Sequence, residues 1–200
     1  MTRDVGEGEL NKRLYAHWED VFQQIDSFHG CVCLRRVRCA VDLGTDVDFL
    51  LLKGGSDPKL GIVECEGHDS DPPEGVQQLL RYVAGFKTTG ATILEESIKD
   101  AFDTRKRRGR MNEKRWAGSG RSGLVNWQGR AGARTERELA RVLDAASKRV
   151  VPILIYYRDK PLKPLQKSAL SLAFRGHPLY VGIVSYPAAN KLIAARYFAK

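Results

Sequence analysis

Two apolar runs with acidic ends decide the fold of this chain: DVDFLLL at residues 46–52 and LGIVECE at residues 60–66. Between them lies KGGSDPK, residues 53–59, whose glycines and proline are typical of a tight turn. Runs of this length and composition on both sides of such a turn predict a β-hairpin. The hairpin carries acids on both of its strands.

The placement of these acids predicts a cation site. Because side chains alternate between the two faces of a strand, Asp46 and Asp48 share one face, Glu64 and Glu66 share one face, and Cys65 points the other way. If the acidic faces coincide, three or four carboxylates converge, and their repulsion leaves two alternatives: uptake of protons or binding of a cation. Carboxylate oxygens suit hard ions such as Mg²⁺, Mn²⁺ or Ca²⁺. We favour a divalent metal.

A helix is predicted to follow the hairpin. Its start is indicated by Asp71, which can cap it, and by two prolines that the first turn tolerates. Gln78 and Tyr82 lie about 40° apart around this helix, so both side chains can reach the same neighbour. A further helix is expected at about residues 93–107.

These residues resemble the PD-(D/E)XK nuclease superfamily. In that superfamily an Asp opens a strand, an acid-x-Lys follows a short hairpin, and some branches add Gln-x-x-x-Tyr on the next helix. Asp48, Glu64 and the pair Gln78 and Tyr82 match this pattern, and the resemblance covers roughly residues 6–86. One position departs, since Glu66 stands where the superfamily usually has Lys, as it does in some restriction endonucleases. The resemblance implies an α/β fold with a restriction-endonuclease-like core, in which helices flank a central mixed β-sheet.

The resemblance also implies a metal-dependent nuclease. Its Mg²⁺, for which Mn²⁺ could substitute, would be held by Asp48 and Glu64, with Glu66 and Glu7 as further ligands for one or two ions. Gln78 would then orient water or the phosphate, beside the further site candidates Tyr82 and Arg81. The positive charge of the missing Lys has several alternative sources: a second metal, Arg81, Lys53 or Lys59.

Glu7 enters through the first helix, which the apolar spacing predicts at about residues 7–25. Glu7 projects onto the apolar stripe of this helix one turn before Leu10. In several branches of the superfamily a Gly-Glu pair opens the first helix and its Glu reaches the metal, and Gly6 and Glu7 look similar. The alternative is an N-terminal acid favoured by the helix dipole.

The positive charge of the chain is confined to one segment. The net charge is +9. Residues 104–134 hold ten basic residues, one acid and six glycines, a segment charge of +9, so the remaining residues sum to zero. Such composition is typical of an arm that orders on contact with a polyanion. The alternative is a flexible, solvated insertion.

Nucleic acid is the polyanion that we expect this segment to bind. Basic side chains release counterions from phosphates, and Trp stacks on exposed bases. DNA is preferred over RNA because most members of the resembled superfamily act on DNA. The predicted contacts are Arg105, Lys106, Arg107, Arg108, Arg110, Lys114, Arg115, Trp116 and Arg121. Trp127 lies in the same segment.

The remaining pattern completes a mixed sheet. Residues 31–41 are predicted to form a strand, and Thr135 with Glu138 forms a capping box that starts a helix. Two apolar runs, at residues 150–157 and 179–184, are separated by a helix-like stretch and therefore predict parallel strands. We expect one domain over residues 1–200 with an inserted basic segment at about 104–134.

Three functions remain open at this point. The first is a Mg²⁺-dependent DNA endonuclease, and the second is a catalytically inactive nuclease fold that binds nucleic acid. The third is a structural RNA-binding protein in which the acids are incidental. Composition and the absence of an apolar leader or a long apolar run favour a cytoplasmic protein with no membrane contact. Because many members of the superfamily act as dimers, a homodimer is one expected arrangement.

Overall fold

The computed structural model describes residues 5–38, 46–67, 72–102, 127–160, 162–164, 167–168, 170 and 179–198. These residues form an α/β fold with one six-stranded mixed sheet flanked by helices. The helices are α1 (Glu7–Ala16), α2 (Trp18–Phe22), α3 (Pro72–Phe102) and α4 (Glu136–Ser147). The strands are β1 (Val32–Val37), β2 (Val47–Lys53), β3 (Lys59–Glu66), β4 (Val150–Tyr157), β5 (Leu179–Val184) and β6 (Leu192–Phe198).

The strands lie side by side in chain order. The β2–β3 hairpin is antiparallel, with Lys53 opposite Lys59 and Phe49 opposite Val63, which confirms the predicted turn. β4 pairs in parallel with both β3 and β5. The parallel pairing predicted for the two later apolar runs is therefore confirmed. β6, which the sequence analysis missed, adds an antiparallel edge strand next to β5.

The alternation of side chains along the strands divides the apolar residues between two cores. On one face, Leu50, Leu52 and Ile62 pack with residues of α3 and α4. On the other face, Phe49, Val63 and their neighbours pack with α1 and α2. The central strands are buried on both faces, as their continuous apolar runs predict.

The helical predictions need two corrections. The helix expected over residues 7–25 ends at Ala16, restarts at Trp18 and is followed by a short 3₁₀ helix, Asp26–Phe28. The two helices expected after the hairpin are one continuous helix, α3. Apolar spacing showed which face of each stretch is buried, but it did not show where the backbone breaks.

The end of the basic segment is also corrected, because residues 127–134 belong to the folded core. Trp127 is only 8% exposed and packs in the α3–α4 core with Ala131 and Ala133. The turn of the hairpin touches the same stretch: a side chain at Gly54 would collide with the backbone carbonyl of Ala131. Trp127 is therefore a packing residue, and the expected arm is shorter than residues 104–134.

The described cysteines are small buried side chains. Cys31, Cys33 and Cys65 are free and buried, whereas Cys39 lies outside the described residues. Across the part of the chain with described structure, no helix is long and apolar enough to cross a membrane.

Candidate functional site

Asp48 lies where the pairing between β2 and β3 stops. The ladder runs from Lys53 opposite Lys59 to Phe49 opposite Val63. Continued by one residue, this register would place Asp48 opposite Glu64, and the charge of Asp48 acts on the Glu64 carboxyl group. The backbone N–H of Cys65 donates to Asp48 Oδ2 at 2.9 Å. A carboxylate therefore occupies the place where the backbone ladder would have continued.

Glu64 is the most strongly perturbed acid of this site. Only 6% of the residue is exposed, and its Oε2 atom has no hydrogen-bond partner among the described residues. Burial, followed by the charges of Asp48, Glu66 and Glu7, raises the pKa of Glu64 to about 9. In the absence of a cation, this carboxyl group holds its proton at neutral pH.

Asp48 is held closer to the ionised state than Glu64. Burial raises its pKa to about 6, and the charge of Glu7 contributes to this increase. The backbone hydrogen bond from Cys65 and the charges of Arg35 and Arg36 oppose it. Glu64 thus has a higher pKa than Asp48. One is ionised and the other protonated near neutral pH, as expected for two carboxyl groups that share one space.

Two arginines on β1 supply positive charge near Asp48. Arg35 is 4% exposed, and its Nη2 donates to the carbonyl of Gly8 at 3.4 Å. Arg36 is exposed and has a φ of 53°, in the left-handed region that non-glycine residues rarely adopt. Arg35 is therefore a buried cation near Asp48, whereas Arg36 is exposed.

Glu66 shares a strand face with Glu64 but packs toward α3. It is 8% exposed. A Cβ atom at Gly75, in the first turn of α3, would lie 2.6 Å from both Cγ and Cδ of Glu66. The carboxylate therefore sits close to the positive end of the α3 dipole, which favours an anion there.

Glu7 opens α1 and acts on this site through its charge. The residue is exposed, yet partial burial raises the pKa of its carboxyl group. Its charge raises the pKa values of both Asp48 and Glu64. Glu7 thus lies within electrostatic range of Asp48 and Glu64.

The residues of the Gln-x-x-x-Tyr pattern contact each other. Gln78 Nε2 donates to Tyr82 Oη at 3.0 Å, and Tyr82 Oη donates to the carbonyl of Asp46 at 3.3 Å. Gln78 is exposed, Tyr82 is buried, and Arg81 is exposed on the same helix. The pair joins α3 to the chain two residues before Asp48.

The four acids predicted as metal ligands interact electrostatically, but they do not form a ready set of ligands. Within residues 5–38, 46–67 and the other described ranges, no three His, Cys, Asp or Glu side chains are grouped so that they could hold an ion. Mg²⁺ needs fewer protein ligands, since it is usually bound by one or two carboxylates and keeps several waters. Asp48 and Glu64, with its unpartnered oxygen, could supply these two carboxylates.

The structure adds two polar residues that the sequence analysis missed. Asn11 Nδ2 donates to Asp48 Oδ1 at 2.8 Å, and Tyr157 Oη donates to Asn11 Oδ1 at 2.5 Å. Asn11 is 37 positions from Asp48 and 146 from Tyr157, so no local pattern links them. The only signal in the sequence is a polar Asn beside Leu10 on the apolar stripe of α1.

The predicted nucleic-acid contacts from Arg105 to Arg121 lie outside the described residues. Comparison with protein-family models, with curated proteins and with solved structures finds no match for this chain.

Proposed function

We propose that this chain is a Mg²⁺-dependent nuclease that hydrolyses phosphodiester bonds in DNA and acts as an endonuclease. The observation that carries the proposal is the pair Asp48 and Glu64. Glu64 is buried and Asp48 half-buried, they lie on the adjacent strands β3 and β2, and the charge of Asp48 acts on Glu64. One oxygen of Glu64 has no hydrogen-bond partner among the described residues. A buried acid with an unsatisfied oxygen requires a proton or a cation.

The order of elements also supports the proposal. Two short helices, α1 and α2, precede three antiparallel strands, β1 to β3, and the helices α3 and α4 then lead to the parallel strand β4. This arrangement is similar to the restriction-endonuclease-like core that the sequence resembles. Asp48 and Glu64 occupy the positions of the two motif acids in that resemblance.

Asp48 and Glu64 would hold the ion, with Glu66 and Glu7 close enough to attract it. When bound, Mg²⁺ lowers the pKa of a coordinated water and stabilises charge on the scissile phosphate. The protein itself holds two carboxylates close together in a site that is largely shielded from solvent, although the two groups repel each other when both are ionised. A cation removes that repulsion, so binding is favoured by the same charges that raise the pKa of Glu64.

Positive charge near the acids comes from β1. Lys53 and Lys59 lie at the other end of the hairpin, about 16 Å from Asp48 along β2 at 3.3 Å per residue. Arg35 and Arg36, by contrast, act on Asp48 directly. We assign to Arg35 part of the role of the motif Lys that Glu66 replaces, namely to offset negative charge beside the reacting phosphate.

The basic segment supports a nucleic-acid substrate, and the resemblance to the superfamily favours DNA over RNA. The predicted contacts of this segment carry most of the charge of a chain whose remaining residues are neutral overall. The shortened arm, before Trp127, retains eight of the ten basic residues of the segment, Arg105 to Arg121. A segment with this density of positive charge binds phosphate chains without a sequence preference.

The test is incubation of the purified protein with supercoiled, linear and single-stranded DNA, with Mg²⁺, with Mn²⁺ and with EDTA. We expect cleavage that requires the metal and disappears in Glu64→Ala. Asp144→Asn is the matched control, since it removes an acid that is 65% exposed on α4. Full activity in EDTA, or in Glu64→Ala, would refute the proposal.

The second candidate is a nuclease fold that binds nucleic acid without cleaving it. Two observations favour it: no three-ligand group is found in the described parts of the chain, and Glu66 stands in place of the motif Lys. Asp48→Asn distinguishes the two candidates. It should abolish turnover and preserve or raise DNA affinity in an enzyme, but it should change almost nothing in a binding module.

A further inference from the structure

A chain of hydrogen bonds links the core of the protein to Asp48. Tyr157 on β4 is fully buried, and its hydroxyl donates to Asn11 Oδ1. Asn11, on α1, is 3% exposed and donates from Nδ2 to Asp48 Oδ1 at 2.8 Å. The N–H of Cys65 donates to the other oxygen at 2.9 Å. Each oxygen of Asp48 therefore accepts a hydrogen bond from a fixed donor.

The direction of this chain is set by the Asp48 carboxylate, which only accepts hydrogen bonds. The amide of Asn11 could be turned so that either its oxygen or its nitrogen faces Asp48. Its nitrogen must face a carboxylate, because the turned amide would place Oδ1 against a negatively charged oxygen. A hydroxyl donor on the opposite side of Asn11 favours that orientation, since it satisfies Oδ1.

Packing alone does not explain these two polar residues. Asn11 and Tyr157 border the core that is built from α1, α2 and one face of the sheet, among apolar neighbours such as Leu14 and Cys65. A polar group buried there costs stability unless it is hydrogen-bonded, and an apolar residue of similar volume would avoid this cost. The hydrogen bond that Asn11 donates to Asp48 offsets this cost.

Asp48 needs support because its surroundings repel it. Burial and the charge of Glu7 both act against the ionised form of Asp48. An unsupported carboxylate would rotate toward solvent and away from Glu64, which would enlarge the distance between the two proposed ligands. The donors on Asn11 and Cys65 oppose this rotation.

We infer that Asn11 and Tyr157 are positioning residues that hold Asp48 in a single rotamer, so that its carboxylate stays beside Glu64. The inference deepens the proposed function and rests on it for its effect on metal binding and turnover. Its structural part, the fixed rotamer of Asp48, can be measured without metal or substrate.

Tyr157→Phe is the sharpest test, because it removes one hydroxyl and keeps the ring. We expect three-bond NMR couplings to report a single χ1 rotamer of Asp48 in the unaltered protein and averaged rotamers in the variant. Mn²⁺ affinity, measured by calorimetry, should fall by about 10- to 100-fold, the usual effect of losing a residue that orients a ligand. The catalytic constant should fall more than the Michaelis constant rises.

Tyr180→Phe is the matched control. Tyr180 lies on β5, two strands from β3, and shares a hydrogen bond of 2.9 Å with Ser27. The substitution therefore also removes one hydroxyl hydrogen bond, but far from the acids. We expect the rotamer of Asp48, Mn²⁺ affinity and turnover to be unchanged in this variant.

Asn11→Leu is the second variant, and it keeps the side-chain volume while removing the donor to Asp48. It should reproduce the effects of Tyr157→Phe. A single Asp48 rotamer and unchanged Mn²⁺ affinity in both variants would overturn the inference. Loss of cooperative unfolding in both would also overturn it, because the residues would then be needed for folding. If the unaltered protein cleaves no nucleic acid, the proposed function fails, while the rotamer measurement still decides the positioning role.

Discussion

The side chain of Glu66 fills the space that a side chain at Gly75 would occupy. A Cβ atom at Gly75 would lie 2.6 Å from both Cγ and Cδ of Glu66, closer than real Cβ contacts come. Glycine at this position is therefore what lets an acid of the candidate site pack against the first turn of α3. Substituting Gly75 and Glu66 singly and together tests this packing.

Gly75→Ala should have effects of opposite sign in two backgrounds. In the unaltered protein it forces Glu66 out of its place and should lower the free energy of unfolding by about 1–2 kcal/mol, as overpacking does. In Glu66→Ala the space is open, and the substitution should raise the free energy of unfolding by up to about 1 kcal/mol, because Ala is the better helix former. Urea denaturation of the four proteins measures both effects.

Gly129→Ala is the control for this cycle, since a Cβ atom there meets no other atom within 4 Å. It should change stability equally in both backgrounds. Equal effects of Gly75→Ala in the two backgrounds would show that Glu66 does not occupy this space in solution.

Glu64 should make the protein less stable as pH rises. Its pKa is about 9 in the folded protein and near the ordinary value of 4.5 in the unfolded chain, so the folded state binds the extra proton between these values. Stability from this group is complete below pH 4.5 and is lost as pH rises toward 9. Glu64→Gln should flatten this dependence and, at pH 8, raise the free energy of unfolding by up to about 5 kcal/mol, because each pH unit between 4.5 and 8 changes it by about 1.4 kcal/mol.

The effect of Mg²⁺ on stability tests the same carboxyl group. If Glu64 helps to bind the ion, millimolar Mg²⁺ should restore stability at pH 8 in the unaltered protein and have a smaller effect in Glu64→Gln. Glu96→Gln, a change at an exposed position on α3, should leave the pH dependence as it was. Stability that rises between pH 5 and 8 would contradict the assignment of the proton to Glu64.

The two tryptophans of the basic segment should respond differently to the same substitution. Trp127 is buried in the core, so Trp127→Ala should lower the free energy of unfolding by about 3–5 kcal/mol. Trp116→Ala should leave stability unchanged and weaken single-stranded DNA binding by about 1–3 kcal/mol, the loss of one stacked base. Denaturation and fluorescence anisotropy measure the two effects. A large loss of stability in Trp116→Ala would place Trp116 in a folded core as well.

Local patterns predicted the parts of this fold that depend on neighbouring residues. The hairpin follows from its turn residues, and the Thr135 hydroxyl accepts from the N–H of Glu138 at 3.1 Å, as the capping pattern predicts. β6 was not predicted from the sequence. Its residues 193–197 are all exposed, so neither face of the strand is selected to be apolar and its side chains do not alternate. Trp127 was assigned to the arm because it is surrounded in sequence by basic residues.

The candidate site was predictable only in part, because several of its contacts join residues that are far apart in the sequence. The facing positions of Asp48 and Glu64 follow from the hairpin alone, because a tight turn fixes the register of its two strands. Asn11, Arg35 and Tyr157 reach Asp48 from three other elements. Their contacts depend on how α1, β1 and β4 pack, which no periodicity within a single stretch can indicate.

The basic segment should control the affinity for DNA without affecting the cleavage step. Each Lys or Arg that contacts a phosphate adds about 0.9 to the slope of log affinity against log salt concentration. Replacing Arg107, Arg108 and Arg110 with Gln should therefore lower that slope by nearly three and weaken binding to all DNA sequences alike. Anisotropy titrations at 50–200 mM salt, about the range over which such slopes are measured, test this expectation.

Cleavage at saturating DNA gives the second half of this test. Because the segment is proposed to hold the substrate while the acids act on it, the triple variant should retain its maximal rate once the DNA concentration is raised. Replacing Lys163, Lys191 and Arg141, which are exposed on other elements, is the control of equal charge. If that control lowers the salt slope as much as the segment variant does, binding depends on overall charge and the segment is not the DNA contact.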